Sequence, residues 1–497
     1  MKKRTLSLLL LIAMLAANSA ACGSTDAPAA DGTAAADDTP AAQTTADPDA
    51  RDTSDLPDTN LGGFNLRVLL QDAAASVNQT MYIVAPDEEN GDVLNDAVFR
   101  RTSRTGEKYG FTVENIYAAK VQDTLKTSVL AGDDEFDVAL PQIPHATPLI
   151  TQGILRDLYD VENLNLKKNY WDQNFARDLS IAGKLYFASG DILVSDDDNI
   201  VVTLYNTAMA EDYKLPSLYE EAYAGKWTFE RMMSLIKDVA QDVDGDGKLN
   251  ADEDHTKMPD TVGLLYANNN CVAPYFASAG VYLVTKDEND LPVLGQMTDR
   301  MSDMYDKMMI FLDESRYGCN WMHFKDQVAA ITTMVENKQA LFQNMILSQI
   351  RRLYRDVKTD FGILPIPKFD EKQEKYATSI WKYFEVITIP VTTKNTDKIG
   401  FAVEALAAAS DTLTEAYYDI CLNSKYTRDE ESFDMINLTR ENVIYDVGAF
   451  YDWGKMYSSI TQAAANTDSA LASLIDSYKS AAEAEVKDYV DAVKALD

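Results

Sequence analysis

Histidine and cysteine are scarce in this chain of 497 residues, which has three His and four Cys. His145, His255 and His323 lie far apart, and no H-E-x-x-H pairs any of them, so the zinc-hydrolase pattern is missing. There is no G-x-S-x-G nucleophile elbow, no Walker phosphate loop, and no G-x-G-x-x-G after a strand. Among 79 acidic residues no carboxylate pair stands out for glycoside hydrolysis. Positive charge is also short: 45 Lys and Arg leave a net charge of −34. Loss of Lys2, Lys3 and Arg4 with a leader would make it three units more negative. Nucleic acid and anionic lipid are poor partners for such a surface. The balance of these absences favours binding without catalysis.

Long apolar runs are missing too, apart from "LSLLLLIAMLAA" (6–17), which is too short for a stable membrane span. Behind three basic residues it reads as a signal peptide over 1–21. The following "NSAACGS" resembles the lipobox of bacterial lipoproteins, with Ser19 where that motif has Leu, and it marks Cys22 for lipidation. Three thiols then remain, Cys271, Cys319 and Cys421. They are too few and too scattered for a disulfide framework and read as buried thiols. Residues 22–61 follow as a lipid-anchored linker. With nine Asp, one Arg, and no aromatic or β-branched aliphatic residue over 23–61, the linker cannot bury enough apolar surface to order itself.

The body that follows alternates strand and helix. "FNLRVLL" (64–70), "FTVENI" (111–116) and "FDVALP" (136–141) predict strands. Helical spacing over 89–110, ending at Gly110, and over 119–132 predicts the helices between them. This is the pattern of a parallel α/β sheet, with contacts to ligand at the carboxyl ends of the strands. Further strands are expected at 200–206, 335–345, 361–368 and 381–391, and helices dominate from 400 onward. Leu471, Leu474, Ile475, Tyr478, Ala482, Val486 and Tyr489 form a packing face on the last helix.

One motif carries a definite chemistry. "DVDGDGKLNADE" (242–253) fits a twelve-residue calcium loop. Asp242, Asp244 and Asp246 would supply carboxylates, Lys248 its carbonyl, Asn250 a direct or water-mediated contact, and Glu253 both oxygens. Gly247 permits the turn and Leu249 points inward. A helix capped by Thr228 enters the loop, but none leaves it before Pro259, and no second loop exists to pair with it. The loop therefore reads as a structural calcium staple rather than a sensor.

Aromatic residues are abundant, with 26 Tyr, 17 Phe and 5 Trp. Flat rings beside amides and carboxylates suit a sugar pocket. The order of "EFDVALPQI", "GILRDLYD", "KLYFASGDILVSDDDNIVVTLYN", "KWTFERMMSLIKDVAQDVDGDGKLNADED", "NKQALFQNM" and "DFGILPIPK" resembles the extracellular solute-binding proteins of ABC importers, in the carbohydrate-binding, maltodextrin-binding-like cluster. That resemblance implies a type II periplasmic-binding-protein-like fold, with two α/β lobes, a hinge and an interlobe cleft. The first lobe is expected at 62–192 plus 386–412, and the second at 193–385 plus 413–497. The resemblance further implies a monomer, lipid-anchored on the extracytoplasmic face of the cell membrane, that hands a sugar or oligosaccharide to a membrane permease. Carried over by position, Gln71, Asp72, Gln142, Asp191 and Asn344 are candidates for hydroxyl contacts. Trp381 and Tyr383 stand near the crossover, and Trp453 is the expected stacking ring. The rival reading is a surface-tethered secreted enzyme acting on glycans.

Overall fold

Alternating strand and helix at the start of the body builds the expected parallel sheet. β1 (Phe64–Gln71) pairs in parallel with β2 (Phe111–Ala118) and with β3 (Val138–Ala139), in the order β2-β1-β3. The helix Val93–Tyr109 between β1 and β2 is capped by Asp92, whose side chain accepts from the amides of Leu94 and Asn95. It ends at Gly110, whose φ of 68° is the left-handed conformation that glycine adopts without a Cβ penalty. These contacts come from a computed structural model that describes residues 56–72, 87–249, 253–267, 271–418, 429–464 and 470–496. The signal segment, Cys22, most of the linker, Asn250 and Cys421 lie outside the described residues.

The second sheet is mixed and five-stranded, in the order β10-β4-β9-β5-β8. Its strands are β4 (Val201–Asn206), β5 (Val262–Tyr266), β8 (Gly318–Asn320), β9 (Ala340–Ile346) and β10 (Phe361–Leu364). β4 and β9, like β5 and β10, are buried at every position, as strands covered on both faces must be. A hairpin, β6 (Val284–Lys286) with β7 (Pro292–Leu294), and a parallel pair, β11 (Thr378–Ser379) with β12 (Val443–Ile444), complete the strands. Residues 381–391, expected as a strand, instead make single bridges: Gln142 with Glu385, Ala188 with Ile387, Ala139 with Thr388, and Leu155 with Pro390. The segment threads between elements of the first sheet, so it pairs in short steps.

Arg51–Asp497 forms one compact unit. One core cluster draws only on residues from Leu61 to Leu193 and from Ile387 to Ala408, and a larger one fills the remainder and reaches into the first sheet. The chain thus passes from the first sheet to the second near 193–200, returns near 380–388, and passes again near 408–413. Arg101, buried on the first helix, ties two of these passages together. Its guanidinium donates to the Ile192 carbonyl at 3.0 Å and to Ser410 Oγ at 3.1 Å. Among the described residues no helix is long and apolar enough to cross a membrane.

Candidate functional site

An open cleft of about 370 Å³ is assembled from six separate segments. β4 contributes Val201, the helix Val272–Ser278 gives Ala273 and Pro274, and the turn Trp321–His323 gives Met322. Ile380, Trp381, Lys382 and Tyr383 come from the returning passage. The far wall is Ala449, Phe450 and Asp452, followed by Tyr457, Ser458, Thr461 and Gln462 of the helix Met456–Ala464. Ser458, Thr461 and Gln462 recur at the spacing of one helical face, so the helix gives the cleft a polar stripe beside its aromatic residues. The Trp381 and Tyr383 rings lie 5.1 Å apart at 45°, and Tyr383 is 37 % exposed. Such tilted rings offer apolar faces to a flat C–H surface.

Two charged side chains line this cleft, and they have opposite signs. Lys382 Nζ donates to the Ala449 carbonyl at 2.9 Å and lies 3.9 Å from Asp452 Oδ2. Burial pushes the Lys382 ammonium below the ordinary lysine range, an effect that Asp452 and Asp446 oppose. Asp452 sits at φ 51°, in the left-handed region that Asp tolerates better than most residues, and its Oδ1 accepts from the Ser458 amide at 2.9 Å.

The expected site residues divide into three groups. Trp381 and Tyr383 line the cleft, and Gln142 reaches its edge, donating through Nε2 to the Tyr383 carbonyl at 3.4 Å. Gln71 and Asp72 lie at the carboxyl end of β1, and Asp191 lies just before the first passage, its amide donating to the Tyr170 carbonyl. Asn344 and Trp453 require correction. Asn344 is wholly buried in β9, where its amide donates to Tyr275 Oη at 2.6 Å and its oxygen accepts from Thr203. Trp453 is 2 % exposed, stacked on Tyr451 at 4.7 Å and edge-on to Tyr489. Its turn is clamped because a Cβ on Gly454 would stand 2.5 Å from the Ala482 backbone of the helix Leu471–Lys494. A ring covered in this way cannot stack on a sugar, whereas Trp381 lies on the cleft lining. Sequence reasoning passed over Lys382 and Asp452, although each directly adjoins a tryptophan already singled out.

Three carboxylates stand in a row in the first passage, Asp196 and Asp198 buried and Asp197 half-buried. Asp196 accepts from Ser189 Oγ at 2.7 Å, Asp197 from Tyr418 Oη, and Asp198 from Tyr417 Oη at 2.7 Å. Asp198 forms an ion pair with Arg351 at 2.7 Å. Burial pushes the Asp197 carboxyl up to about 7, with Arg440 and Tyr418 opposing and the Asp191 and Asp172 charges adding to the rise. Asp196 is pushed well up by burial and by the neighbouring Asp197 and Asp172 charges. A carboxyl raised in this way holds its proton in the folded chain between about pH 4 and pH 7, where the unfolded chain has lost it. Stability contributed by the group is therefore greatest at low pH and falls as pH rises through that window. Melting temperature is expected to fall from pH 5 to pH 7 and then level off, and Asp197→Asn should flatten the slope. A profile unchanged in that variant would show that Asp197 does not carry the effect.

A second group could hold a metal. The carboxylate oxygens of Asp242, Asp244 and Asp246 lie within 4.8 Å of one another on the surface. Asp242 accepts from the amides of Gly245 and Gly247, and Asp246 from the amide of Lys248. Leu249 is buried, as its inward place in the loop requires, and its amide donates to the Glu314 carbonyl. Glu253 stands outside the converging trio and pairs with Lys325 at 2.9 Å. The helix Phe229–Val239 enters, capped by Thr228, and only a short turn, His255–Lys257, follows. Three hard oxygen donors on alternate residues suit calcium better than any softer ion. Cys271 and Cys319 are buried free thiols; burial pushes the first up to about 12.

No family model matches the chain, and no curated protein matches it by sequence. Solved structures do match. A cyclo/maltodextrin-binding protein complexed with maltotetraose superposes with a TM-score of 0.53 at 15 % identity, over 87 % of this chain and 96 % of that one. The galacto-N-biose-/lacto-N-biose I-binding protein of the ABC transporter from Bifidobacterium longum gives 0.52 at 12 %, over 86 % and 98 %. RafE from Streptococcus pneumoniae gives 0.51 at 13 %, over 88 % and 98 %. The chain has the two-lobed α/β fold of these proteins, the type II periplasmic-binding-protein fold.

Proposed function

We propose that the chain is the solute-capturing component of an ABC importer, that it binds a sugar or oligosaccharide in the cleft beside Trp381, and that it passes the ligand to a membrane permease. The observation that carries this reading is the cleft itself, lined by the paired Trp381 and Tyr383 rings and by a hydroxyl-bearing helix, on the fold shared with a maltodextrin-binding and a lacto-N-biose-binding protein. The lobes are drawn at 62–192 plus 386–412 and at 193–385 plus 413–497, a division supported by the core cluster confined to Leu61–Leu193 and Ile387–Ala408. Closure of the lobes by a hinge would enclose the ligand. The protein works as a monomer without catalysis. Among the described residues lining the cleft Asp452 is the only carboxylate, whereas glycoside hydrolysis uses two. The leader and Cys22 would hold it by lipid on the outer face of the cell membrane, with residues 23–61 as tether. A thermal-shift screen against neutral oligosaccharides tests the reading: a hit raises the melting temperature by mass action. A panel without a single hit would count against it.

Within this reading the acidic loop is a calcium staple. Asp242, Asp244 and Asp246 would hold the ion, Lys248 through its carbonyl and Asn250 would add oxygens, and Glu253 would leave Lys325 to complete the set. The ion would cancel repulsion that already shows on Asp260, whose carboxyl is pushed up by burial and by the Asp244 and Asp242 charges. At tenfold excess over the dissociation constant, calcium adds about 1.4 kcal/mol to stability. Chelation should lower the melting temperature, and an Asp244→Ala, Glu253→Ala variant should melt at the chelated temperature and ignore added calcium. No heat on calcium titration and no melting shift would leave the loop an ordinary acidic turn.

A further inference from the structure

The geometry points to Lys382 and Asp452 as a hydroxyl-reading pair, which seats one ligand hydroxyl between the ammonium and the carboxylate while the ring carrying it lies against Trp381. The inference rests on the sugar reading of the cleft and adds the residues that decide specificity. Lys382 Nζ and Asp452 Oδ2 lie 3.9 Å apart, too far for a direct hydrogen bond. Both groups keep spare capacity. The ammonium has three donors and gives one to the Ala449 carbonyl at 2.9 Å. The carboxylate has two acceptor oxygens, and Oδ1 takes the Ser458 amide at 2.9 Å. Each side chain is mostly shielded, at 23 % and 19 % exposure, so water competes weakly for these positions.

A gap of this size admits one oxygen. An atom about 2.8 Å from both groups closes the triangle with an angle of roughly 90° at the inserted atom, within the range that a hydroxyl can serve. The atom must accept from Lys382 and donate to Asp452 at once, which a ligand hydroxyl does, displacing water that would do the same. A carboxylate or sulfate would accept from Lys382 but have no proton for Asp452, and either of them, like a phosphate, would meet a like charge there. An ammonium could donate to Asp452 but would repel Lys382. The two charges cancel, so the remaining lining residues present an electrically neutral surface of rings, aliphatic side chains, hydroxyls and an amide. The ligand class that fits is an uncharged polyhydroxylated ring, and anionic sugars are disfavoured.

The backbone holds the pair in place. Asp452 takes its position from the left-handed turn that ends the helix Val447–Tyr451, and Lys382 is set by the amide of Trp381, which donates to the Asn199 carbonyl at 3.0 Å. Neither depends on the ligand for its place, which is the preorganisation that specificity needs.

Calorimetric titration of the purified protein tests the inference with maltotetraose and lacto-N-biose as neutral probes, other neutral oligosaccharides beside them, and digalacturonate as the anionic one. On the neutral sugar that binds best, Lys382→Met and Asp452→Asn should each weaken binding by about 10- to 100-fold, the range for a hydrogen bond to a charged group. The double variant should lose less than the product of the two single losses, because each single variant strands an unpaired charge that the double variant removes. A monodeoxy derivative lacking the seated hydroxyl should bind the wild type poorly and should bind the double variant as well as the parent sugar does. If Asp452→Asn disturbs the turn and melts early, Lys382→Met with the deoxy series decides alone. Single variants within twofold of wild type, strictly multiplicative losses in the double variant, or tighter binding of digalacturonate than of any neutral sugar would overturn the pair while leaving the sugar reading intact. If no sugar in the panel binds the wild type, the sugar reading falls, and the pair falls with it.

Discussion

Trp381→Ala is expected to weaken sugar binding by about 1–3 kcal/mol, roughly 5- to 150-fold, while leaving the melting temperature nearly unchanged. The ring is half-buried, lines the cleft and is tilted at 45° to Tyr383. Removing it deletes the apolar platform without opening the core. Trp453→Ala makes the opposite contrast, because that ring packs on Tyr451 and Tyr489 inside the protein and its loss should be felt in stability first. Calorimetry beside melting curves separates the two. A Trp381→Ala protein that binds as tightly as wild type would move the ligand out of this cleft.

The largest effect on stability is expected at Arg351→Met, about 3–5 kcal/mol. Arg351 Nη2 meets Asp198 Oδ2 at 2.7 Å, the two side chains are 10 % and 0 % exposed, and Tyr417 donates to the other carboxylate oxygen. Asp198 lies in the first passage between sheets, and Tyr417 follows the third, so the pair pins both to the helix Leu347–Leu353. Without Arg351 a carboxylate would remain buried in a segment that already carries Asp196 and Asp197. Adding Asp198→Asn to Arg351→Met should recover part of the loss, since the unpaired charge would be gone. Chemical denaturation of the three variants measures this directly. No recovery in the double variant would mean that packing of the arginine stem, rather than its charge, is what matters.

Much of the first lobe is legible in the sequence. β1, expected at 64–70, runs Phe64–Gln71, and the helix expected to stop at Gly110 does so because that glycine takes the left-handed cap. The final helix buries Leu471, Ala482, Val486 and Tyr489 from the stripe that its 3.6-residue period marks. β5 escaped, because "VGLLY" is an apolar run of five that periodicity cannot assign to strand or helix. Residues 381–391 misled for a related reason. Their β-branched and aromatic content suits a strand, but their partners lie at several separate places, and no continuous ladder forms. The site was half legible. Trp381 and Tyr383, carried over by position, line the cleft, and Trp453 is carried over in the same way, yet only the turn at Gly454 and the helix behind it decide that one ring is buried and the others are not. Asn344 failed because its polar side chain suggested a ligand contact, whereas the interior supplies its partners. Lys382, Asp452 and Ser458 are brought together by folding alone, from positions up to 76 residues apart by number.

The most direct measurement is a calorimetric titration of the wild-type protein with neutral oligosaccharides, followed by chromatography of the sugar recovered from the cell. Saturable one-to-one binding, lost in Trp381→Ala, with the sugar recovered unchanged is the expected result. No binding across the panel, or recovery of shortened sugar in amounts that grow with time, would contradict the assignment of this cleft as a site of capture for import.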